Sequence, residues 1–282
     1  MASSSPAQET SPETTAVFHQ DLAWSPDGSS IVFSANDGHG YDLWIATIAN
    51  GQTRSLTKDG KGNLWADWSP DGKTIAFSSG RDGGKDIYLM DPDGTNVRRL
   101  TEGVGRNQAP SWSPDQSWLA FMSDRSGTWQ IFVMRADGKD AHQVTRDTTM
   151  AHNPVWSRQN SRIVFYDGLG QGKDQIGYIG PDGKHLTRLS KDAFNNVYPA
   201  WSPDGESIVF ASNREGSNKL FTMRADGSQV RKVSDDLAFF ARWAPKGNTL
   251  AAIFGKYPRT AIGILSLDNP EPKWITPKPN EN

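Results

Sequence analysis

A tryptophan residue returns six times along the chain at almost constant spacing, in most copies at the start of Trp-Ser-Pro. The steps between successive copies are 44, 44, 44, 45 and 42 residues. A repeat of this length is typical of β-propellers or helical arrays, in which each copy forms one structural unit. The repeat residues are Trp24, Trp68, Trp112, Trp156, Trp201 and Trp243. The chain is therefore predicted to fold as six copies of one unit.

The second copy shows what each unit contains. Residues 65–69, 74–78, 86–90 and 97–101 have the composition and alternation of short strands. The Ser-Pro-Asp-Gly between the first two suits a type I turn. No segment keeps a helical period over about ten residues, which argues against a helical array. We therefore predict an all-β fold, a six-bladed β-propeller with four antiparallel strands per blade.

The copies also predict the domain boundaries. The propeller is expected to occupy residues 16–277, with blades near residues 21–57, 64–101, 108–145, 152–189, 197–233 and 239–276. Residues 1–15 are small, polar and Pro-containing, so a disordered N-terminal tail is expected there. Residues 278–282 are expected to form a short C-terminal tail.

The charge and composition exclude several classes of function. Thirty basic and 32 acidic residues give a net charge of −2 without a long run of one sign, which argues against a nucleic-acid partner. The chain has no Cys, so neither disulfides nor thiolate chemistry is available. No apolar stretch is long enough to span a bilayer, and residues 1–15 lack the features of a signal peptide. Two interpretations stay open: a cytoplasmic protein, or an exported protein whose signal has been removed.

The repeat resembles the propeller repeats of the TolB family. The shared pattern is Trp-Ser-Pro-Asp-Gly, then Ile-Ala-Phe, Asp-Arg-x-Gly, Ile-Tyr-x-Met and Arg-Arg-Leu-Thr, and residues 121–138 of the third copy match it best. The resemblance implies a periplasmic or secreted bacterial protein that binds other proteins through its propeller, as TolB binds a peptidoglycan-associated lipoprotein at the propeller mouth. TolB also carries an α/β domain ahead of its propeller. Because only a polar stretch precedes the propeller here, the contact that TolB makes with TolA is not carried over.

TolB-like repeats also occur in peptidase propellers and in a polysaccharide-lyase family, so the fold is more specific than the function. The main hypothesis is a non-enzymatic propeller that binds a protein or peptide at its channel mouth. The alternative is a propeller that binds or cleaves a glycan, like a lectin or a polysaccharide lyase.

The loops leading into the first strands are predicted to form this mouth, because propeller loops carry function. Amide, imidazole and aromatic groups cluster there and suit a peptide, a sugar or a partner loop. For the Asn residues, an equally weighted alternative is that each amide satisfies backbone groups where the chain turns into the strand. The predicted ligand-binding residues are His19, Asn63, Trp65, Asn107, Gln108, His152, Asn153, Asn196, Tyr198, Phe239 and Phe240.

The remaining motifs do not indicate catalysis. The histidines are too few and too dispersed for a metal centre, which needs three or more converging ligands, and a Gly-x-Ser-x-Gly elbow is missing. We therefore predict a monomer with no catalytic residue, no metal and no cofactor. Blade four departs most from the repeat, with Trp-Ser-Arg-Gln-Asn at 156–160. A basic rim suited to an acidic partner is a further hypothesis, built from Arg81, Arg125, Arg214 and Arg259.

Overall fold

The computed structural model describes residues 17–146, 149–168 and 173–278, which form six four-stranded antiparallel sheets. Within each sheet the strands follow one another in chain order. The described residues contain no helix. The prediction of an all-β, six-bladed propeller with four strands per blade is confirmed. The expected tail at residues 1–15 lies outside the described residues, as does all of the expected 278–282 tail except Lys278.

The strands are numbered β1 to β24, and each blade takes four in order from the axis outward. Blades 1 and 2 contain β1 Phe18–Trp24, β2 Ser30–Asn36, β3 Tyr41–Thr47, β4 Thr53–Ser55, β5 Leu64–Trp68, β6 Ile75–Ser79, β7 Asp86–Met90 and β8 Arg98–Arg99. Blades 3 and 4 contain β9 Asn107–Trp112, β10 Trp118–Ser123, β11 Gln130–Arg135, β12 His142–Gln143, β13 Ala151–Trp156, β14 Ile163–Asp167, β15 Gln175–Ile179 and β16 Thr187–Arg188. Blades 5 and 6 contain β17 Asn196–Trp201, β18 Ser207–Ser212, β19 Lys219–Arg224, β20 Arg231–Lys232, β21 Ala238–Trp243, β22 Thr249–Lys256, β23 Arg259–Ser266 and β24 Asn269–Trp274.

The turn after each repeat Trp is held by its own side chains. In blade 1 the Ser25 hydroxyl donates to Asp27 Oδ1 at 2.6 Å, and the Ser29 amide donates to the same oxygen at 3.0 Å. Gly28 has a φ of 76°, which a glycine adopts without strain. The Ser–Asp hydrogen bond recurs in blades 2, 3 and 5. The Asp residues of these turns are therefore structural.

The ring is held together by packing between sheets. Each innermost strand contacts the innermost strand of the next blade, and β21 contacts β1 to close the circle. The middle strands supply the core, since every residue of β6 and β7 is buried. Five of the six repeat Trp side chains are buried between blades, and that of Trp243 is half-buried. The Trp24 side chain donates from Nε1 to the Arg242 carbonyl oxygen at 3.2 Å.

Blades 1 and 6 meet without exchanging a strand, because each sheet takes its four strands from one continuous segment. Side chains close this seam instead. The His19 amide donates to Thr260 Oγ1 at 2.7 Å, and the His19 ring nitrogen Nδ1 lies 3.0 Å from that oxygen. The Thr260 amide donates to the Val17 carbonyl oxygen at 3.1 Å.

The propeller has two unlike faces. We call one the loop face, where the chain enters each innermost strand and where the second and third strands are joined. We call the other the turn face, where the Trp-Ser-Pro turns and the hairpins between third and fourth strands lie. The innermost strands run from the loop face to the turn face and line the channel.

Candidate functional site

Every innermost strand is irregular near the loop face, where its register with the second strand shifts. In four blades the residue three places before the repeat Trp has a left-handed backbone. Such a φ is rare for bulky aromatic residues, and bulges of this kind re-aim side chains near functional sites. The four residues are Trp65 (57°), Ala109 (52°), Asn153 (47°) and Tyr198 (53°).

Three aromatic rings meet on the channel axis. The Trp65 and Tyr198 rings stack with centroids 6.1 Å apart, and Phe240 lies 6.0 Å from Trp65 and 5.5 Å from Tyr198. Trp65 belongs to blade 2 and Tyr198 to blade 5, which lie opposite each other in a ring of six. The stack therefore spans the axis, and we call these three residues the axial plug.

A line of half-buried rings leads from the plug across the loop face. Tyr166 lies 5.5 Å from Tyr198, His152 stacks on Tyr166 at 5.1 Å, and Trp129 lies 6.3 Å from His152. The Arg106 guanidinium covers Trp129 at 4.8 Å and ends the line at the rim. We call Tyr198, Tyr166, His152 and Trp129 the aromatic strip. Each of the four keeps part of its surface accessible.

The strip is electrically neutral at pH 7. Burial lowers the pKa of His152, and the nearby Asp167 carboxylate only partly opposes this. Burial also raises the pKa values of Tyr166 and Tyr198. The Tyr166 and Tyr198 hydroxyls hydrogen-bond to each other. A neutral imidazole among aromatic rings favours apolar, aromatic or proline side chains of a ligand, and its ring nitrogens can form hydrogen bonds with that ligand.

The predicted mouth residues Asn63, Asn107 and Asn196 have no accessible surface. The Asn107 Nδ2 group donates to Asp86 Oδ1 of the preceding blade at 3.0 Å, and Asn63 donates to Asp42 in the same way. Asn196 donates to Asp192 at 2.8 Å. The structure thus places these amides between blades, in contacts that support the structural alternative, and their ligand role stays a prediction.

Three arginines of the hypothesised basic rim are tethered to these amides. Arg81, Arg125 and Arg214 each donate from Nη2 to the amide oxygen of the asparagine in their own blade, at 3.2, 2.7 and 3.1 Å. Each also donates from Nε to a serine hydroxyl and covers aromatic rings of its blade. These guanidinium groups are therefore part of the scaffold, which corrects the idea of a free basic rim. Arg259 is exposed.

The other predicted residues are dispersed. His19 is buried in the seam between blades 1 and 6. Asn153 is buried and lines the channel below the plug. Gln108 is half-buried and pairs with Met122 across its sheet. Phe239 stacks on Phe18 at 5.9 Å, away from the strip. Of the predicted residues, Trp65, Tyr198 and Phe240 meet in the axial plug, and His152 is connected to them through Tyr166.

Sequence reasoning missed Tyr166 and Trp129, which complete the strip. A signal was available for both. Tyr166 stands in the second strand of blade 4, at the position that holds Ser34, Ser78, Met122, Ala211 or Ile253 in the other blades, and Trp129 directly precedes β11 at the loop face. Large aromatic side chains at the exposed ends of strands depart from the repeat, and departures mark function in repeat proteins.

Among the described residues, no three His, Asp or Glu side chains lie close enough together to hold a metal ion. A helix with the length and apolar character of a membrane span is also absent from the part of the chain that the structure describes.

Comparison with known proteins gives a family match over most of the chain. The family model described as TolB beta propeller domain matches residues 22–178 and 168–282. The Tol-Pal system protein TolB of Syntrophus aciditrophicus is 35% identical over 52 residues, which is 18% of this chain and 12% of that protein. The chain aligns with a fifth or less of the length of the curated relatives that it matches.

Solved structures show the same fold at low identity. The structure of putative TolB from Agrobacterium tumefaciens has a TM-score of 0.72 and 23% identity, with 81% of this chain and 86% of that chain covered. An oligogalacturonate lyase in complex with manganese has a TM-score of 0.65 and 12% identity, with 92% of this chain and 77% of that chain covered. At these identities the likeness extends to the fold alone.

Proposed function

The chain belongs to the TolB beta propeller domain family, and from this premise we propose that it is a non-enzymatic propeller that binds a peptide segment of a partner protein. The binding site is the loop face, where the segment lies along the aromatic strip. The proposed location is the bacterial envelope or the exterior of the cell, in keeping with the Tol-Pal system relative.

The strip carries this proposal. Four half-buried rings, each with part of its surface accessible, form one continuous line with centroid spacings of 5.1 to 6.3 Å, from the axial plug to Trp129. Aromatic side chains dominate the energetics of protein interfaces, where they act as rigid, pre-positioned anchors. A propeller that served only as scaffold would gain from covering these rings with its own loops. The described residues leave these rings partly accessible, and an extended peptide of a partner supplies the cover.

A glycan is the second candidate ligand. The fold is shared with an oligogalacturonate lyase, and aromatic faces also stack on sugars. The neutral strip favours an uncharged or apolar ligand over an acidic sugar, because the Arg106 guanidinium at its outer end is paired with Asp124 at 2.7 Å and the Asp174 carboxyl group lies near Tyr166 and Tyr198. The peptide is therefore preferred, and the two candidates are separated by the experiment below.

The test is a selection from a displayed library of random peptides of about twelve residues on the immobilised protein, followed by affinity measurement by fluorescence anisotropy. Trp129→Ala and His152→Ala are each expected to weaken the selected peptides about 30-fold, the effect of removing an aromatic anchor worth about 2 kcal/mol. Both side chains lie at the outer end of the strip, away from the plug.

Trp118→Ala is the matched control, since this half-buried Trp lies at the turn-face end of β10 and packs edge-on against His142. Its affinity for the same peptides should equal that of the wild type. Peptides that bind all three variants equally well would place the site elsewhere. Binding or cleavage of members of an oligosaccharide panel, without peptide binding, would favour the second candidate.

A further inference from the structure

The channel below the axial plug is a blind cavity that opens on the turn face. Its volume is about 350 Å³, and its lining runs from Trp65 and Phe240 at the plug down to the prolines of the Trp-Ser-Pro turns. Small-molecule sites begin at about this size. Since the plug spans the axis, the cavity is separate from the aromatic strip on the other face.

Two arginines interrupt the regular lining of this cavity. Arg158 stands in the position that is Pro26, Pro70, Pro114, Pro203 or Pro245 in the other blades, and 39% of its side chain is exposed. Arg242 stands directly before the repeat Trp243, deeper in the channel. Both side chains line the cavity, so two guanidinium groups face the same enclosed space.

Arg242 is incompletely paired by the described residues. Its Nη1 donates to the Ala241 carbonyl oxygen at 3.1 Å, and its guanidinium covers the Phe240 ring at 4.2 Å. A guanidinium carries five N–H donors in a planar fork. The residue lies deep in the molecule yet keeps accessible surface, because that surface faces the channel. Burial lowers the pKa of Arg242 to about 10, which still leaves it charged at pH 7.

The carboxylates that line the channel leave some N–H donors of Arg158 and Arg242 without a direct hydrogen bond. Asp67 lies 3.9 Å from Arg158 and accepts the Trp112 amide at 2.8 Å. Asp21 accepts the Ser34 hydroxyl at 2.6 Å and the Trp65 amide at 2.8 Å, so its oxygens are turned toward its own scaffold. Asp67 and Asp21 both interact with the Arg242 guanidinium electrostatically, but neither forms a direct ion pair with it among the described contacts, and Arg242 lines the cavity.

We propose that this cavity binds a ligand bearing one carboxylate, which enters from the turn face and pairs with Arg242 and Arg158. A planar carboxylate matches the guanidinium fork and forms charge-assisted hydrogen bonds with it. The formal charges of the two Arg and two Asp side chains in the channel cancel. A singly charged anion therefore fits better than a doubly charged phosphate, which Asp21 and Asp67 repel more strongly. The carboxylate is the end of a peptide chain or that of a small organic acid.

Isothermal titration calorimetry at pH 7.5 tests this with N-acetyl-trialanine, the same peptide as its C-terminal amide, propionate and inorganic phosphate. The acid peptide is expected to bind, and the amide at least tenfold more weakly, because charge-assisted hydrogen bonds are lost. Binding of propionate as well identifies a small-acid site, and binding of the acid peptide alone identifies a chain-end site; both support the proposal. Absence of any binding, equal binding of acid and amide, or tightest binding of phosphate overturns it.

Arg242→Gln should weaken the acid peptide at least tenfold, whereas Arg259→Gln, on an exposed loop-face hairpin, should leave its affinity unchanged. Arg158→Gln is the second variant, because its partly exposed side chain tolerates replacement even if Arg242→Gln fails to fold. Equal affinity in a folded Arg242→Gln and in Arg158→Gln contradicts the site. Trp129→Ala should bind the acid peptide normally, so the result is independent of the function proposed for the loop face.

Discussion

Replacing Asn107 with alanine is expected to lower the free energy of unfolding by about 3 kcal/mol. The Asn107 amide oxygen accepts the Arg125 guanidinium at 2.7 Å and the Ser123 hydroxyl at 2.9 Å, while Nδ2 donates to Asp86 at 3.0 Å. Ser123 and Asp86 are buried. Alanine removes these three hydrogen bonds and two longer ones from Nδ2 to the Val104 and Gly105 carbonyl oxygens. It leaves a guanidinium and a carboxylate short of partners between blades 2 and 3. Unfolding in guanidinium chloride, followed by tryptophan fluorescence, measures the change.

Asn50→Ala is the matched control. Asn50 is exposed and accepts one hydrogen bond, from the Gln52 amide at 3.0 Å. Its replacement should change the free energy of unfolding by no more than about 0.5 kcal/mol. The pair also separates the two interpretations of the Asn107 amide. An Asn107→Ala protein that unfolds like the wild type but loses affinity for the selected peptides would identify a ligand contact and contradict the structural role.

The fold could be predicted from the sequence because its signals are local and repeated. Trp68, Ser69 and Asp71 lie within four residues of one another, and the Ser69 hydroxyl donates to Asp71 within the same turn. The same short pattern occurs in most copies, so each copy supports the interpretation of the others. Ring closure follows from the number of copies and needs no long-range information.

The site could be predicted only in part, because exposure depends on partners far along the chain. Asn107 and His152 occupy nearly the same place in their repeats, yet Asn107 is buried by Asp86, 21 residues earlier, whereas His152 is stacked on Tyr166 and keeps accessible surface. The axial plug depends on Trp65 and Tyr198 meeting across the axis from opposite blades. A repeat pattern identifies equivalent positions but does not show which of them face a neighbour, a cavity or water.

His19 makes the stability of the ring dependent on pH. It occupies the position of Asn63, Asn107 and Asn196, but in the seam between blades 1 and 6, where its ring contacts Thr260. Burial lowers the pKa of His19 to about 4, from 6.5 in an unfolded chain. Between these values the unfolded chain binds a proton that the folded chain excludes. The contribution of His19 is therefore fully present above pH 6.5 and is lost as the pH falls toward 4, by about 3 kcal/mol.

Asp21 acts in the opposite direction and hides this effect in the wild type. Burial raises the pKa of Asp21 to about 6, from 3.8. Between these values the folded chain binds the proton more readily, so acidification stabilises the fold by a similar amount. The two groups nearly cancel between pH 4 and pH 6. The contribution of His19 to the free energy of unfolding is therefore measured by comparing the wild type with a variant that lacks His19 but keeps Asp21.

His19→Asn isolates that difference, because asparagine is the residue that the equivalent position holds in blades 2, 3 and 5. The free energy of unfolding of the wild type minus that of His19→Asn is expected to fall by about 3 kcal/mol as the pH falls from 6.5 to 4. His39→Asn is the control, since the His39 side chain is 88% exposed, and its difference from the wild type should stay constant. Denaturant unfolding at several pH values gives both curves. A constant difference for His19→Asn as well would mean that His19 takes up its proton in the folded ring as easily as in the unfolded chain, and that the seam between blades 1 and 6 opens to water.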